Sequence, residues 1–282
     1  LYGAMKLLSW NVRGLGRLQT VNRLRKKLRA INPRILFLIE TKLSSKKMEM
    51  VRLKCGFSNG IDIGAVGLKG GLSLGWTGND LVSIRSYSMF HMDADIYDPE
   101  NKETWRLTGF YGSSDECYQR ESWDLLFHLG YDQSVPWLVF GDFNEIVSSF
   151  KKKGGRVRSE GQIAEFKTTL EDCLLNDVGC VGRWFTWEKG IFLSTNIRER
   201  LDRGVATLNW RYLFPGFLLE HLSHLFSDHC PILLDTMGKL RHGKRRESNL
   251  FYFEAKWCLD NLFEETVRHV WANNHGSIPT KA

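Results

Sequence analysis

Several apolar runs in this chain stop abruptly on a residue able to bind a metal ion or a phosphate. Met5-Lys6-Leu7-Leu8-Ser9-Trp10 ends on Asn11, Ile35-Leu36-Phe37-Leu38-Ile39 ends on Glu40, and Trp137-Leu138-Val139-Phe140 ends on Gly141-Asp142, with Asn144 just beyond. A later polar group, Ser227-Asp228-His229, precedes the apolar run Pro231-Ile232-Leu233-Leu234. One strand closing on a carboxylate is unremarkable. Repeated endings of this kind point to a site, because active sites of α/β proteins lie on the loops that leave strand ends. Carboxylates and amides without cysteine make a hard donor set, which suits Mg²⁺ or Mn²⁺ rather than zinc. Each residue also has a plain structural reading. Glu40 caps a strand, Asp142 and Asn144 close an Asx turn, and His229 taken alone is a hydrogen-bonded structural histidine.

These residues need elements to position them. The runs at 35–39 and 137–140 are continuously apolar, as in strands buried on both faces. The glycine-rich turn 12–16 leads into a helix over 21–30, with Leu24, Leu28 and Ile31 at helical spacing and Asn32-Pro33 as its end. Alternation marks strands at 71–76 and 105–111. Helices are expected over 119–130 and 160–175, the second with Ile163, Phe166, Leu170 and Leu174 on one face. Later strands fall at 184–187, 200–206 and 231–234. Interleaved strands and helices make the class α/β.

The chain has 282 residues, 43% of them hydrophobic, with 17 Phe and 10 Trp, so it is not disordered over most of its length. Its longest apolar runs are far short of the roughly 20 residues that span a bilayer, and no leader segment is visible. Lys and Arg number 39 against 32 Asp and Glu, a formal charge of +7 that favours a polyanionic partner. Six cysteines at 55, 117, 173, 180, 230 and 258 include no C-x-x-C pair, so they read as reduced, mostly buried thiols of a nuclear or cytoplasmic protein. The chain opens on Leu1, so either it starts inside a longer frame or Met5 is the first residue. The expected organisation is a catalytic domain over 5–237, a basic linker over 238–250 and a strand–helix connector over 251–282, truncated at its end.

Six blocks occur in order: Trp10-Asn11-Val12-Arg13-Gly14, Ile39-Glu40-Thr41, Phe110-Tyr111-Gly112, Gly141-Asp142-Phe143-Asn144, Arg200-Leu201-Asp202-Arg203 and Ser227-Asp228-His229-Cys230-Pro231. Together they resemble the endonuclease/exonuclease/phosphatase family, the deoxyribonuclease I-like (DNase I-like) and AP-endonuclease-like proteins, over residues 5–237. The details Trp-Asn-x-Arg-Gly-Leu-Gly, Phe-Thr-Trp and Arg-Leu-Asp-Arg are similar to the endonuclease domain of plant LINE-type (non-LTR) retrotransposons. The resemblance implies a four-layered α/β sandwich, two packed mixed β-sheets flanked by helices. It implies an Mg²⁺- or Mn²⁺-dependent endonuclease acting on DNA as a monomer and leaving a 3′-hydroxyl. Glu40 would be the principal metal carboxylate, with Asn11 helping and Asp228 as an outer or second-metal ligand. Asp142 would orient or deprotonate the attacking water, and Asn144 would hold the phosphate or that water. His229, aligned by Asp202, would donate to the scissile phosphate, and Tyr111 would contact the phosphate or the leaving oxygen. Thr186 and Ser227 match positions lining the site. Lys151, Lys152 and Lys153 with Arg156 and Arg158 read either as a solvated charge run or as a DNA-backbone contact. Trp184 and Trp187 read as core.

Hydrolysis of a phosphodiester needs an aligned water, a clamp on the phosphate and help for the leaving oxygen. A metal ion, a carboxylate and a carboxylate-paired histidine supply them. Two departures bear on specificity: members specialised for abasic sites carry Asp where Arg13 stands and Asn where Ser114 stands. No Tyr/Phe-Ala-Asp-Asp block occurs, so the reverse transcriptase expected in a full-length element lies outside this chain. The competing readings are a phosphomonoesterase of the inositol-phosphate type and an inactive nucleic-acid-binding relic.

Overall fold

The computed structural model describes residues 5–67, 69–98, 102–132, 134–190, 195–223 and 226–239. The strand–helix connector expected over 251–282, and the linker beyond 239, lie outside the described residues. The order of elements is β1 (Lys6–Asn11), α1 (Leu18–Ile31), β2 (Ile35–Ile39), α2 (Ser45–Lys54), β3 (Asn59–Ile63), β4 (Leu72–Trp76), β5 (Val82–Tyr87), β6 (His91–Asp98), β7 (Glu103–Tyr111), α3 (Glu116–Leu129) and β8 (Trp137–Asp142). A 3-10 turn, Ser149–Lys151, leads to β9 (Lys152–Lys153), α4 (Glu160–Asp172), β10 (Asn176–Asp177), β11 (Val181–Gly182), β12 (Trp187–Lys189), β13 (Ile197–Glu199), β14 (Asp202–Ala206), α5 (Leu208–Leu213), β15 (Leu218–His221) and β16 (Ile232–Asp235).

These strands make two mixed sheets, ordered β11-β15-β16-β1-β2-β4-β3 and β10-β14-β8-β7-β6-β5, and a small third one, β12-β13-β9. Side-chain alternation along the central strands explains the layering. Leu7 of β1, with Ile35, Phe37 and Ile39 of β2, meets Leu138 and Phe140 of β8 between the sheets. Leu8, Trp10, Leu36 and Leu38 point outward, onto Leu24 and Leu28 of α1 and Met48 of α2. On the far side Val139 and Trp137 of β8 cluster with Trp123 of α3 and Phe166 and Leu170 of α4. Four layers result, and strands covered on both faces read as unbroken apolar runs. Each fully buried Leu or Phe removes enough apolar surface to contribute about 2 kcal/mol.

Two glycines mark close approach of the backbone. A Cβ on Gly141 would stand 2.1 Å from Phe110 O, and one on Gly112 would stand 2.2 Å from Phe143 O. Both lie where β7 and β8 deliver Tyr111 and Asp142.

Some expectations need correction. The strand expected at 184–187 begins at Trp187, because Trp184, Phe185 and Thr186 form an approach segment. Leu174 lies beyond α4 with a left-handed backbone and is exposed, so it leaves the helix face. None of the five described cysteines is in a disulfide, but only Cys173 and Cys230 are buried and Cys117 is exposed. Helix α2 was missed because its apolar residues follow no helical stripe: its buried side chains are Met48 and Arg52.

Candidate active site

Five strand ends converge at one edge of the sandwich. β1 and β2 run parallel with Asn11 beside Ile39, so Asn11 and Glu40 leave the first sheet together. β7 and β8 run parallel with Tyr111 beside Asp142, and β14, antiparallel to β8, begins with Asp202 opposite Asp142. The loop before β16 brings in His229, anchored by an isolated bridge to Trp187 and by the Trp10 indole, which donates to His229 O at 2.9 Å.

The Asn11 amide joins the sheets. It donates to Glu40 Oε1 at 3.1 Å and to Asp142 Oδ2 at 2.9 Å. Glu40 Oε1 also accepts from the Tyr111 hydroxyl at 3.2 Å. Arg13 Nη1 lies 3.1 and 3.2 Å from the two Glu40 oxygens, Arg13 Nε donates to Asp228 Oδ1 at 3.1 Å, and Lys42 Nζ stands 3.5 Å from Glu40 Oε2. Burial alone would raise the Glu40 carboxyl. Arg13, Asn11, Lys42 and His229 outweigh it and hold it below the usual range. The Trp187 indole donates to Asp228 Oδ2 at 2.9 Å.

His229 Nδ1 donates to Asp202 Oδ2 at 2.8 Å and lies 3.7 Å from Asp142 Oδ2. Its Nε2 is buried and has no hydrogen-bond partner among the described residues. Burial opposes the imidazolium, but Asp202 first and Asp142 second raise its pKa, so the ring is charged at neutral pH. Asp142 moves the other way from an ordinary carboxylate: burial, then repulsion from Asp202, raises its pKa despite His229 and Asn11. Asn144 closes an Asx turn, its N–H donating to Asp142 Oδ1 at 3.0 Å, while its side-chain amide donates to Gly112 O at 2.8 Å. The structural and chemical readings of this pair therefore coexist.

Four residues here, Arg13, Glu40, Lys42 and Asn144, have φ of 50°, 51°, 54° and 52°. Left-handed backbone at non-glycine residues costs energy and gathers at functional sites. No periodicity rule shows this in a sequence.

Thr186 and Ser227 are buried and occupied. Thr186 Oγ1 accepts from the N–H of Leu201 at 3.0 Å and of Asp202 at 2.9 Å, and Ser227 Oγ donates to Asn11 O at 2.6 Å while accepting from His229 N at 3.1 Å. Their geometry positions Asp202 and His229 rather than lining a ligand surface. The expected basic run also divides. Lys151 is buried with Nζ 4.1 Å from the Trp184 ring centre, and burial, then Arg200, brings its amine down to about 8. Lys152 is ion-paired with Glu199, and Arg158 with Glu199 and Glu145. Lys153 and Arg156 are exposed. Trp184 is exposed and lies beside exposed Phe150, contrary to a core reading, and Trp187 is half-buried. Arg13 and Lys42 escaped the motif reading as Glu40 partners; basic residues right after the two metal-type strand ends were the signal.

Oxygen donors from Glu40, Asn11 and Asp228 fit a hard divalent cation such as Mg²⁺ or Mn²⁺. Asp142, Asp202 and His229 also offer ligand atoms within 4.8 Å of one another. A cation there would break the charge-assisted bond between Asp202 and His229, so that trio suits proton handling better. Beside Glu40 opens a cleft of about 620 Å³, lined among others by Arg13, Lys42, Tyr111, Met89 and Tyr118.

A two-sheet α/β sandwich with acidic and amide strand ends facing a carboxylate-held histidine defines a DNase I-like protein. The chain belongs to the endonuclease/exonuclease/phosphatase family, whose model matches residues 8–229. Family members are hydrolases acting on phosphodiesters or phosphate esters. No curated protein matches the sequence. Among solved structures, the AP endonuclease LMAP from Leishmania major is similar at 17% identity and a TM-score of 0.65, over 83% of this chain and 87% of that one. The 3′–5′ exonuclease NExo from Neisseria meningitidis is similar at 17% identity and a TM-score of 0.63, over 82% and 98%. The endonuclease domain of TRAS1, a telomere-specific non-LTR retrotransposon, is similar at 15% identity and a TM-score of 0.57, over 82% and 97%. At these identities the likeness establishes the fold. Among the described residues no helix is long and apolar enough to cross a membrane.

Proposed function

We propose that residues 5–237 form a divalent-metal-dependent endonuclease that nicks DNA and leaves a 3′-hydroxyl, as the LINE-type resemblance suggests. The observation that carries this reading is the buried His229, charged by Asp202 through Nδ1 and presenting an Nε2 without a partner among the described residues. A donor of that kind stabilises negative charge growing on a phosphate. Asp142, with its raised pKa, orients a water and takes its proton. Asn144 holds Asp142 through the Asx turn and fixes the loop against Gly112. Glu40 and Asn11 hold Mg²⁺ or Mn²⁺, with Asp228 at the edge. The ion, when bound, supplies positive charge for the phosphate and the leaving oxygen. Tyr111 orients Glu40, and its hydroxyl borders the cleft where the phosphate lies. Lys153 and Arg156 supply exposed charge for the backbone of a polyanion. The polypeptide works inside the cell, as a monomer, upstream of a reverse transcriptase in the full element.

The test is relaxation of supercoiled plasmid in Mg²⁺, with EDTA and His229→Ala beside it. Open circles abolished by both controls support the reading. A folded protein that leaves the plasmid intact overturns it, and phosphate release from inositol phosphates would then favour a phosphomonoesterase.

A further inference from the structure

We propose that Arg13 is a resident counter-cation at Glu40 which a divalent metal ion must displace, so that metal loading and release of Arg13 are one event. The inference rests on the metal-dependent reading above. One guanidinium bridges two carboxylates: Nη1 stands 3.1 and 3.2 Å from the Glu40 oxygens and Nε 3.1 Å from Asp228 Oδ1. A metal ion on Glu40 needs the lone pairs that Arg13 holds. Lys42 stands farther off, 3.5 Å from Oε2 alone, and the two neutral partners of Glu40 are less free to leave. Asn11 is tied to Asp142 as well, and Tyr111 ends a strand in register with Asp142. Arg13 reaches in from an exposed edge on a long stem, so it is the group that gives way.

The backbone indicates that this placement is built in. Arg13 sits at φ 50° and Gly14 at φ 112°, while Arg13 N donates to Asn11 Oδ1 at 3.2 Å. A residue with a side chain held in that region is over-determined by its surroundings. The arrangement also has an electrostatic reason. A nearly buried carboxylate is costly unless paired, and Arg13 pairs with both Glu40 oxygens and orients them. Once released, the guanidinium stays tethered to Asp228 through Nε, and its other N–H groups can take a phosphate oxygen. Phosphate binding to Arg13 and metal binding to Glu40 then assist each other, and linkage makes the assistance reciprocal.

The experiment is Mn²⁺ binding to the full chain by isothermal titration calorimetry, without turnover. Arg13→Ala and Arg13→Gln are expected to bind Mn²⁺ about tenfold more tightly than the wild type, because each removes a cation competing at contact distance. Arg13→Lys, which lacks the fork, falls between. In a His229→Ala background a short DNA duplex is expected to tighten Mn²⁺ binding when Arg13 is present and not when it is alanine. Equal or weaker Mn²⁺ binding by Arg13→Ala and Arg13→Gln proteins that melt like the wild type overturns the proposal. So does absence of Mn²⁺ binding in all of them. Plasmid nicking separately tests the endonuclease reading: a wild type that does not nick while its Arg13 variants bind Mn²⁺ more tightly would sink that reading alone.

Discussion

His229 is held by Asp202 through Nδ1, so the nitrogen available for chemistry is Nε2 and the ring is charged. Removing the ring in His229→Ala should slow nicking by about 10²–10⁴-fold while metal binding persists. The pH profile gives a sharper check. A charged His229 loses its proton as pH rises through its raised pKa, so nicking should fall on the alkaline side. Asp202→Asn removes the largest influence raising that pKa. Its alkaline limb should move to lower pH by a unit or more. An alkaline limb that stays in place in Asp202→Asn would separate the pH dependence from this pair. Tyr111 and Asn144 illustrate residues whose structural and chemical duties coincide. Each completes a local hydrogen bond, and each such bond fixes a carboxylate needed for the proposed reaction.

At the scale of elements, the candidate site positions inherit their accuracy from strand register. Asn11, Tyr111, Asp142 and Asp202 all sit at paired strand ends. A one-residue slip would turn each of them to the other face. The segment before β12 acts through Thr186, whose hydroxyl takes two backbone N–H groups at the start of β14. Thr186→Val leaves both buried donors unpaired. It should cost about 1–3 kcal/mol in a denaturant melt and lower nicking through Asp202, with substrate affinity little changed. Gly112→Ala forces a Cβ to 2.2 Å from Phe143 O. It should destabilise by about 1–3 kcal/mol or more, and a wild-type melting temperature for Gly112→Ala would show that β7 can move away from β8.

Across the whole molecule, stability should depend on pH through His221, which is nearly as buried as His229 but neutral. Its Nδ1 donates to Arg183 O at 2.7 Å, and burial, then Arg200, lowers its pKa from 6.5 to about 4. The unfolded chain takes up a proton near pH 6.5 and the folded chain resists until about 4. Stability from this group is therefore complete above pH 6.5 and is lost as pH falls towards 4. The loss should be on the order of 1–3 kcal/mol between those limits, and His221→Gln should flatten that part of the stability–pH curve. DNA binding, if it uses Lys153, Arg156 and the +7 charge, should weaken with salt, and each charge reversal should lower the logarithmic salt slope by about one unit.

The central strands were legible because they are covered on both sides, which leaves unbroken apolar runs at 35–39 and 137–140, and α1 because only one stripe of it is covered. The polar residues closing those strands were legible as a candidate site because they fall abruptly after apolar runs, and the His229 loop because it stands just before one. The strands at 59–63, 82–87 and 91–98 were not: the first is half-buried throughout, the third buries Asp93 against Arg106, and the second, a sheet edge, alternates but offers only Val82 and Ile84 as apolar inward residues. Nor did the basic run at 151–158 reveal that Lys151, Lys152 and Arg158 are engaged within the fold, because Trp184 and Glu199, which hold them, lie more than 30 positions away in sequence. By itself the sequence determined which residue types end which strands, since hydrophobic periodicity is local. Only the tertiary structure decided that Arg13 bridges Glu40 and Asp228 and that Thr186 and Ser227 serve as struts. Those partners, 215 and 216 positions apart for Arg13 with Asp228 and Ser227 with Asn11, are chosen by sheet packing, which leaves no local mark in the chain.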